Sequence, residues 1–123
     1  MGKILIVDDV FDNCQLLLAV IKRLGLKALC VTSGREALAS IANETPSLVI
    51  LDVMMPEMDG FAVLGTIRGD ERYADVPVVM YSGWADQTAA ERAKQMGAQG
   101  YLVKGSATVA KLQATVHQWA TPG

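Results

Sequence analysis

Histidine and cysteine are scarce in this chain: one histidine, His117, and two cysteines, Cys14 and Cys30, among 123 residues. The cysteines lack the close spacing of zinc ligands and His117 lies far from both, so no zinc site can be assembled from them. They read as structural thiols of a reducing compartment, with a disulfide or a redox sensor as the competing reading. Basic charge is not in surplus either. A formal net charge of −2 argues against nucleic-acid binding by this segment, which would have to neutralise a phosphate backbone. Long apolar runs are missing as well. Ile4-Leu5-Ile6-Val7 is cut off by Asp8 and Asp9, too early for a signal-peptide core, and no run approaches the roughly 18 residues of a membrane span. Ile6 occupies the place where a myristoylation signal carries Ser or Thr. No linker, repeat or low-complexity segment interrupts the chain. The expectation is one soluble, cytoplasmic domain over residues 1–120, followed by the short tail Thr121-Pro122-Gly123.

What the chain does have is enough apolar side chain for a core, 51% of residues against 20% charged, close to the globular average. Five β-rich runs alternate with longer segments of helical period, the sequence form of an α/β protein with a parallel sheet. The strands expected are Lys3–Asp8, Lys27–Thr32, Ser47–Asp52, Val76–Ser82 and Gly100–Lys104. The first and third are continuous apolar runs, as central strands covered on both faces are. Between them the first helix runs from Phe11 through Leu16, Leu17, Val20, Ile21 and Leu24 to a cap at Gly25. The second opens on the capping box Ser33-Gly34-Arg35-Glu36 and ends before Pro46. The third spans Asp59 or Gly60 to Gly69. The fourth, about Asp86 to Met96, has a thin apolar stripe and reads as a weakly anchored element. The fifth starts near Ser106 and carries Val109, Leu112, Val116 and Trp119.

Open parallel sheets bind ligands beyond the carboxyl ends of their strands. There this chain places Asp8 and Asp9 after the first strand, Asp52 on the third, Ser82 on the fourth and Lys104 on the fifth. Singly, each reads as a cap or a solvated charge; together they form a rim of three carboxylates, a hydroxyl and an ammonium. Clustered carboxylates repel unless a cation or proton offsets them. Oxygen donors of this kind suit Mg²⁺, which takes one or two carboxylates and a phosphate oxygen. Asp52 can then act as a nucleophile toward phosphorus, with Lys104 and Ser82 stabilising the transferred group. Tyr101 is read equally as an edge-packing residue or as a switch. Met54, Met55 and Met58 read as loop packing.

These residues also carry a family likeness. Ile4-Leu5-Ile6-Val7-Asp8-Asp9, Leu51-Asp52-Val53-Met54-Met55-Pro56-Glu57-Met58-Asp59-Gly60, Tyr81-Ser82-Gly83 and Gly100-Tyr101-Leu102-Val103-Lys104 resemble, in this order and over essentially the whole chain, the receiver domains of two-component response regulators. The resemblance implies a flavodoxin-like, doubly wound five-stranded sheet of order 2-1-3-4-5 with five helices. It further implies that Asp52 is the phosphoacceptor and that Asp9, Asp8, Asp52 and the Met54 backbone carbonyl hold Mg²⁺, with Mn²⁺ as a substitute. Lys104, Ser82 and Tyr101 would be the phosphoryl-binding and switching residues. The implied partners are a histidine kinase or phosphotransfer protein and a downstream protein bound by the surface of the fourth helix, fifth strand and fifth helix. A monomer or a phosphorylation-linked dimer fits equally.

Three positions depart from the family pattern. Gly105 stands where a proline usually follows the lysine, which bears on how Lys104 is placed. Met54 and Trp84 occupy the positions that flank the mouth of the phosphoryl site, where large apolar groups should hinder an attacking water and lengthen the life of the phosphoryl group; Trp84 reads equally as a docking residue for a partner helix. A turnover enzyme with an aspartyl nucleophile is disfavoured because Met54 stands where such enzymes place a second aspartate. A flavin site would need a glycine- and hydroxyl-rich first loop. A binding-only pseudo-receiver is disfavoured by the complete acidic set. No output domain follows the fifth helix, which leaves a stand-alone regulator, a relay intermediate or part of a longer protein.

Overall fold

Strand-forming runs that are apolar on every residue can only be covered on both faces, and the fold meets that requirement with helices on each side of one sheet. The computed structural model describes residues 3–55, 57–83, 87–104 and 108–120. The elements are β1 (Ile4–Val7), α1 (Phe11–Arg23), β2 (Ala28–Val31), α2 (Gly34–Asn43), β3 (Leu48–Asp52), α3 (Gly60–Gly69), β4 (Val78–Ser82), α4 (Gln87–Gln95), β5 (Gly100–Val103) and α5 (Val109–Ala120). All strand pairs are parallel, in the order β2-β1-β3-β4-β5. This is the flavodoxin-like order expected, with β1 and β3 adjacent at the centre and buried along their whole length.

Side chains alternate across the sheet. Leu5, Val7, Val49, Leu51, Val78 and Met80 meet Ala37 and Ile41 of α2, Phe61, Leu64 and Ile67 of α3, and Ala89 and Ala93 of α4. Ile4, Ile6, Leu48, Ile50, Val79 and Tyr81 face the opposite layer, made by Cys14, Leu17, Val20 and Ile21 of α1 and Leu112 and Val116 of α5. Helix α4 contributes only two buried alanines, as its thin stripe predicted; the Arg92 guanidinium lies 4.2 Å over the Phe61 ring and adds a second tie.

Local signals end the helices where they were read. The Ser33 hydroxyl accepts from the Glu36 N–H and the Asp59 carboxylate from the Ala62 N–H, each satisfying an orphan donor of a first turn. Gly25 takes the left-handed conformation, φ 76°, that a helix stop favours. Two details differ from expectation. Leu16 is 49% exposed and Phe11 64%, because the inward stripe of α1 runs through Cys14, Leu17, Val20 and Ile21 and leaves positions 11 and 16 on its flank. Helix α5 begins at Val109, later than the expected start near Ser106, with the Thr108 hydroxyl accepting from the Lys111 N–H.

The cysteines require a larger correction. Read first as structural thiols, Cys14 and Cys30 are joined in a disulfide with Cα atoms 6.0 Å apart. Their separation of 16 residues concealed this. Cys14 is on the buried stripe of α1, and Cys30, paired in register with Ile6, packs against the same layer.

Candidate functional site

Register builds the site. Val7 pairs with Leu51, so Asp8 and Asp52, the next residue of each segment, leave adjacent strands at one level. Asp52 is in turn level with Tyr81, and Ser82 with Val103. The Lys104 N–H donates to the Ser82 carbonyl at 2.7 Å, extending the ladder by one residue and fixing the backbone from which the lysine side chain starts.

Lys104 reaches across the rim to both buried carboxylates, its Nζ 2.9 Å from Asp8 Oδ2 and 3.3 Å from Asp52 Oδ1. Asp8 is 1% exposed and Asp52 4%; Asp9 is exposed. One carboxylate oxygen from each of Asp8, Asp9 and Asp52 lies within 4.8 Å of the others. Two backbone amides help hold the cluster, Val10 N–H to Asp8 Oδ1 at 2.9 Å and Met54 N–H to Asp52 Oδ1 at 3.3 Å. The other buried oxygen of Asp8, Oδ2, meets the lysine but receives no hydrogen bond of good geometry.

Burial raises the Asp52 pKa from 3.8 to about 6, and repulsion from Asp8 adds to the rise; Lys104 and the Met54 N–H oppose it. For Lys104, burial works against the ammonium, but its close pairing with Asp8, together with that to Asp52, outweighs this and raises its pKa. With every group ionised, three carboxylates against one ammonium leave two negative charges in a partly desolvated rim. A hard divalent cation would balance them, and an all-oxygen donor set with one underused buried carboxylate oxygen fits such an ion.

The remaining expected residues fall around this centre. Ser82 is fully buried at the end of β4. Tyr101 is partly buried and packs against the α2–α3–α4 layer. Met54 is 57% exposed beside Asp52. Trp84 and Gly105 lie outside the described residues. Two contributors had been given no role at the site. Tyr81 is buried with its ring 5.5 Å from the Lys104 Nζ; burial raises its pKa. Gly60 approaches the Asp52 backbone so closely that a Cβ there would overlap the Asp52 carbonyl oxygen. The sequence marked Gly60 only as a start of the third helix and the end of a family motif, neither of which reveals the close approach.

A doubly wound parallel sheet with its acidic residues and lysine gathered where the strand order reverses is a flavodoxin-like domain with an acidic rim. A family model for the response regulator receiver domain matches residues 4–117, and the chain belongs to that family, the receiver domains of two-component response regulators. The family generally binds Mg²⁺ at an acidic site, and membership implies a kinase or phosphodonor partner. A probable transcriptional regulator, ycf27, of Galdieria sulphuraria is 37% identical over 102 residues, 83% of this chain and 39% of the relative. The transcriptional regulatory protein ZraR of Escherichia coli is 35% identical over 82% of this chain and 22% of its own length. The chain thus spans about two fifths or less of these curated relatives. Among solved structures, the chemotaxis protein CheY4 of Vibrio cholerae superposes with a TM-score of 0.88 at 29% identity, covering 97% of this chain and 98% of that one. The receiver domain of NtrX from Brucella abortus gives 0.89 at 28% identity, covering 98% and 100%. Among the described residues no helix is long and apolar enough to cross a membrane.

Proposed function

We propose that this chain accepts a phosphoryl group on Asp52 from a histidine kinase, a phosphotransfer protein or a small phosphodonor, with Mg²⁺ held by Asp9, Asp8, Asp52 and the Met54 carbonyl. The observation that carries the reading is the position of Lys104, within ion-pair reach of both Asp8 and Asp52 on a rim that already holds a third carboxylate. An Asp52 oxygen attacks phosphorus, the bond from phosphorus to the donor's leaving atom breaks, and an acyl phosphate forms. Lys104 then exchanges part of its pairing with the carboxylates for the phosphoryl oxygens, and the Ser82 hydroxyl donates to another. When bound, Mg²⁺ offsets charge on the phosphoryl oxygens. The chain catalyses only its own phosphorylation and dephosphorylation.

The output would be a cytoplasmic protein contact on the face of α4, β5 and α5. Weak anchoring of α4 through Ala89 and Ala93 suits an element that shifts. Beside it a shallow cavity of about 390 Å³ is lined by Ala90, Lys94, Ala98 and Tyr101, so inward rotation of Tyr101 would reshape this face.

Incubation with Mg²⁺ and acetyl phosphate, read by intact mass, should add one phosphoryl group to the wild type and none to Asp52→Asn. A wild type that gains nothing would sink the proposal in favour of a binding-only domain; continuous release of phosphate in place of a stable adduct would favour a turnover phosphatase.

Phosphoryl lifetime depends on the mouth of the site. Met54 is already exposed beside the nucleophile, and with Trp84 it would obstruct an in-line water. The Met54→Asn, Trp84→Glu double variant should lose its phosphoryl group about tenfold faster, roughly 1.4 kcal/mol off the hydrolysis barrier. An unchanged or slower decay would overturn this reading of Met54 and Trp84.

A further inference from the structure

We propose that Cys14 and Cys30 form a reversible thiol–disulfide site, opened and closed by low-molecular-weight thiols and disulfides, beneath the acidic loop. Three observations converge on it. The Cα separation of 6.0 Å falls within the roughly 4.4–6.8 Å that a disulfide spans. That separation is set by packing which does not need the bond: Leu17, Val20 and Ile21 hold α1 against Ile4, Ile6 and Ile50, while the β1–β2 ladder fixes Cys30 opposite Ile6. The dithiol form is therefore already arranged for closure, and opening the bond leaves both elements in place.

The two sulfurs also differ in access. Cys14 is fully buried, whereas Cys30 is partly exposed on β2, an edge strand of the sheet. An outside reagent therefore meets Cys30, and Cys14 acts as the resolving thiol. In closure, the Cys30 thiol attacks a small disulfide such as oxidised glutathione. A mixed disulfide forms, one glutathione leaves as thiol, and the proton lost by Cys30 passes to it. The Cys14 thiol then attacks the Cys30 sulfur, the protein disulfide forms, and a second glutathione leaves carrying the Cys14 proton. The pair is oxidised by two electrons and one glutathione disulfide is reduced to two thiols. Opening is the reverse, with reduced glutathione attacking Cys30. The bond lies close to the functional rim: the Cys14 sulfur is 3.7 Å from the Asp8 carbonyl oxygen, which the free thiol can use as a weak hydrogen-bond acceptor.

The test uses the full chain in glutathione buffers of graded redox ratio, followed by acid quenching, maleimide labelling and intact mass. Wild type should interconvert reversibly between a doubly labelled and an unlabelled species, with little glutathione adduct. Cys14→Ala should trap one glutathione on Cys30, at least tenfold faster than Cys30→Ala acquires one on the buried Cys14. A wild type that stays doubly labelled at every ratio, a bond reduced only after denaturation, or a Cys30→Ala variant that reacts as fast as Cys14→Ala would each overturn the proposal. The wild-type titration decides the question even if a variant fails to fold.

Discussion

Gly60→Ala should destabilise the domain by about 3 kcal/mol or more and disable phosphorylation, while Gly65→Ala, five residues along the same helix, should stabilise it slightly. Both glycines lie in α3, and propensity alone would favour alanine at either, by up to about 1 kcal/mol in a helix interior. Their surroundings reverse the sign at one of them. At Gly65 a Cβ would meet only the flexible end of Met96, at 3.6 Å. At Gly60 it would overlap the Asp52 carbonyl oxygen and stand 2.9 Å from the Val53 Cα. Those atoms belong to backbone at the end of a central strand, so relief requires moving α3 or the segment carrying the nucleophile. Overpacking in a well-packed site commonly costs about 1–3 kcal/mol, and backbone obstacles lie at the upper end or beyond it. The Gly60 N–H also donates to the Val53 carbonyl at 2.8 Å, a bond that displacement would stretch. Chemical denaturation of both variants, with acetyl phosphate labelling, checks this; a Gly60→Ala protein as stable as wild type would mean that the chain crossing beside Asp52 is slack.

The contrast between these glycines shows what could be read before any coordinates. Continuous apolar runs identified β1 and β3 as central, and the polar residues ending the strands identified the rim, because a parallel sheet aligns its carboxyl ends and residue type at those ends carries the chemistry. Contacts between segments distant in sequence were less legible. Tyr81 looked like one more strand residue, yet the alternation of β4 turns it toward α1 and α5 and under Lys104. Cys14 and Cys30 carry no spacing signal, and only the packing of α1 on β1 and β2 brings them together. Leu16 was overcounted for the opposite reason: an apolar residue near a helical stripe need not lie on it. The family resemblance supplied the strand order, and the exact reach of Lys104 to two carboxylates followed from side-chain geometry that no spacing rule contains.

Lys104 and Asp52 set the charge balance of the rim, and their variants should move stability in opposite directions. Without a divalent cation, the Asp52 carboxyl has a pKa of about 6 against its ordinary 3.8. Between those values the folded state binds the proton more tightly than the unfolded state. The stabilisation from this raised pKa is therefore complete below about pH 4 and is lost as pH rises through about 6, a span worth up to about 3 kcal/mol. Asp52→Asn removes that titration, so in EDTA at neutral pH it should be more stable than wild type by about 1–2 kcal/mol, with a flatter pH profile. Lys104→Met removes the ammonium that faces both Asp8 and Asp52 and should cost about 2–3 kcal/mol at neutral pH. That is less than the 3–5 kcal/mol typical of a broken buried pair, because Asp52 escapes by taking up a proton. The loss should accordingly shrink below about pH 5 and be smaller again when Asp52→Asn is already present. Saturating Mg²⁺ should reverse the ranking of wild type and Asp52→Asn, since a ligand at about 100 times its Kd adds roughly 2.7 kcal/mol to the form that binds it. Urea denaturation of the four proteins across pH, with EDTA or with Mg²⁺, measures every term. If Asp52→Asn is no more stable than wild type without the cation, the cost of ionising Asp52 is already met by Lys104 alone, and the rim has no electrostatic need for a second positive charge.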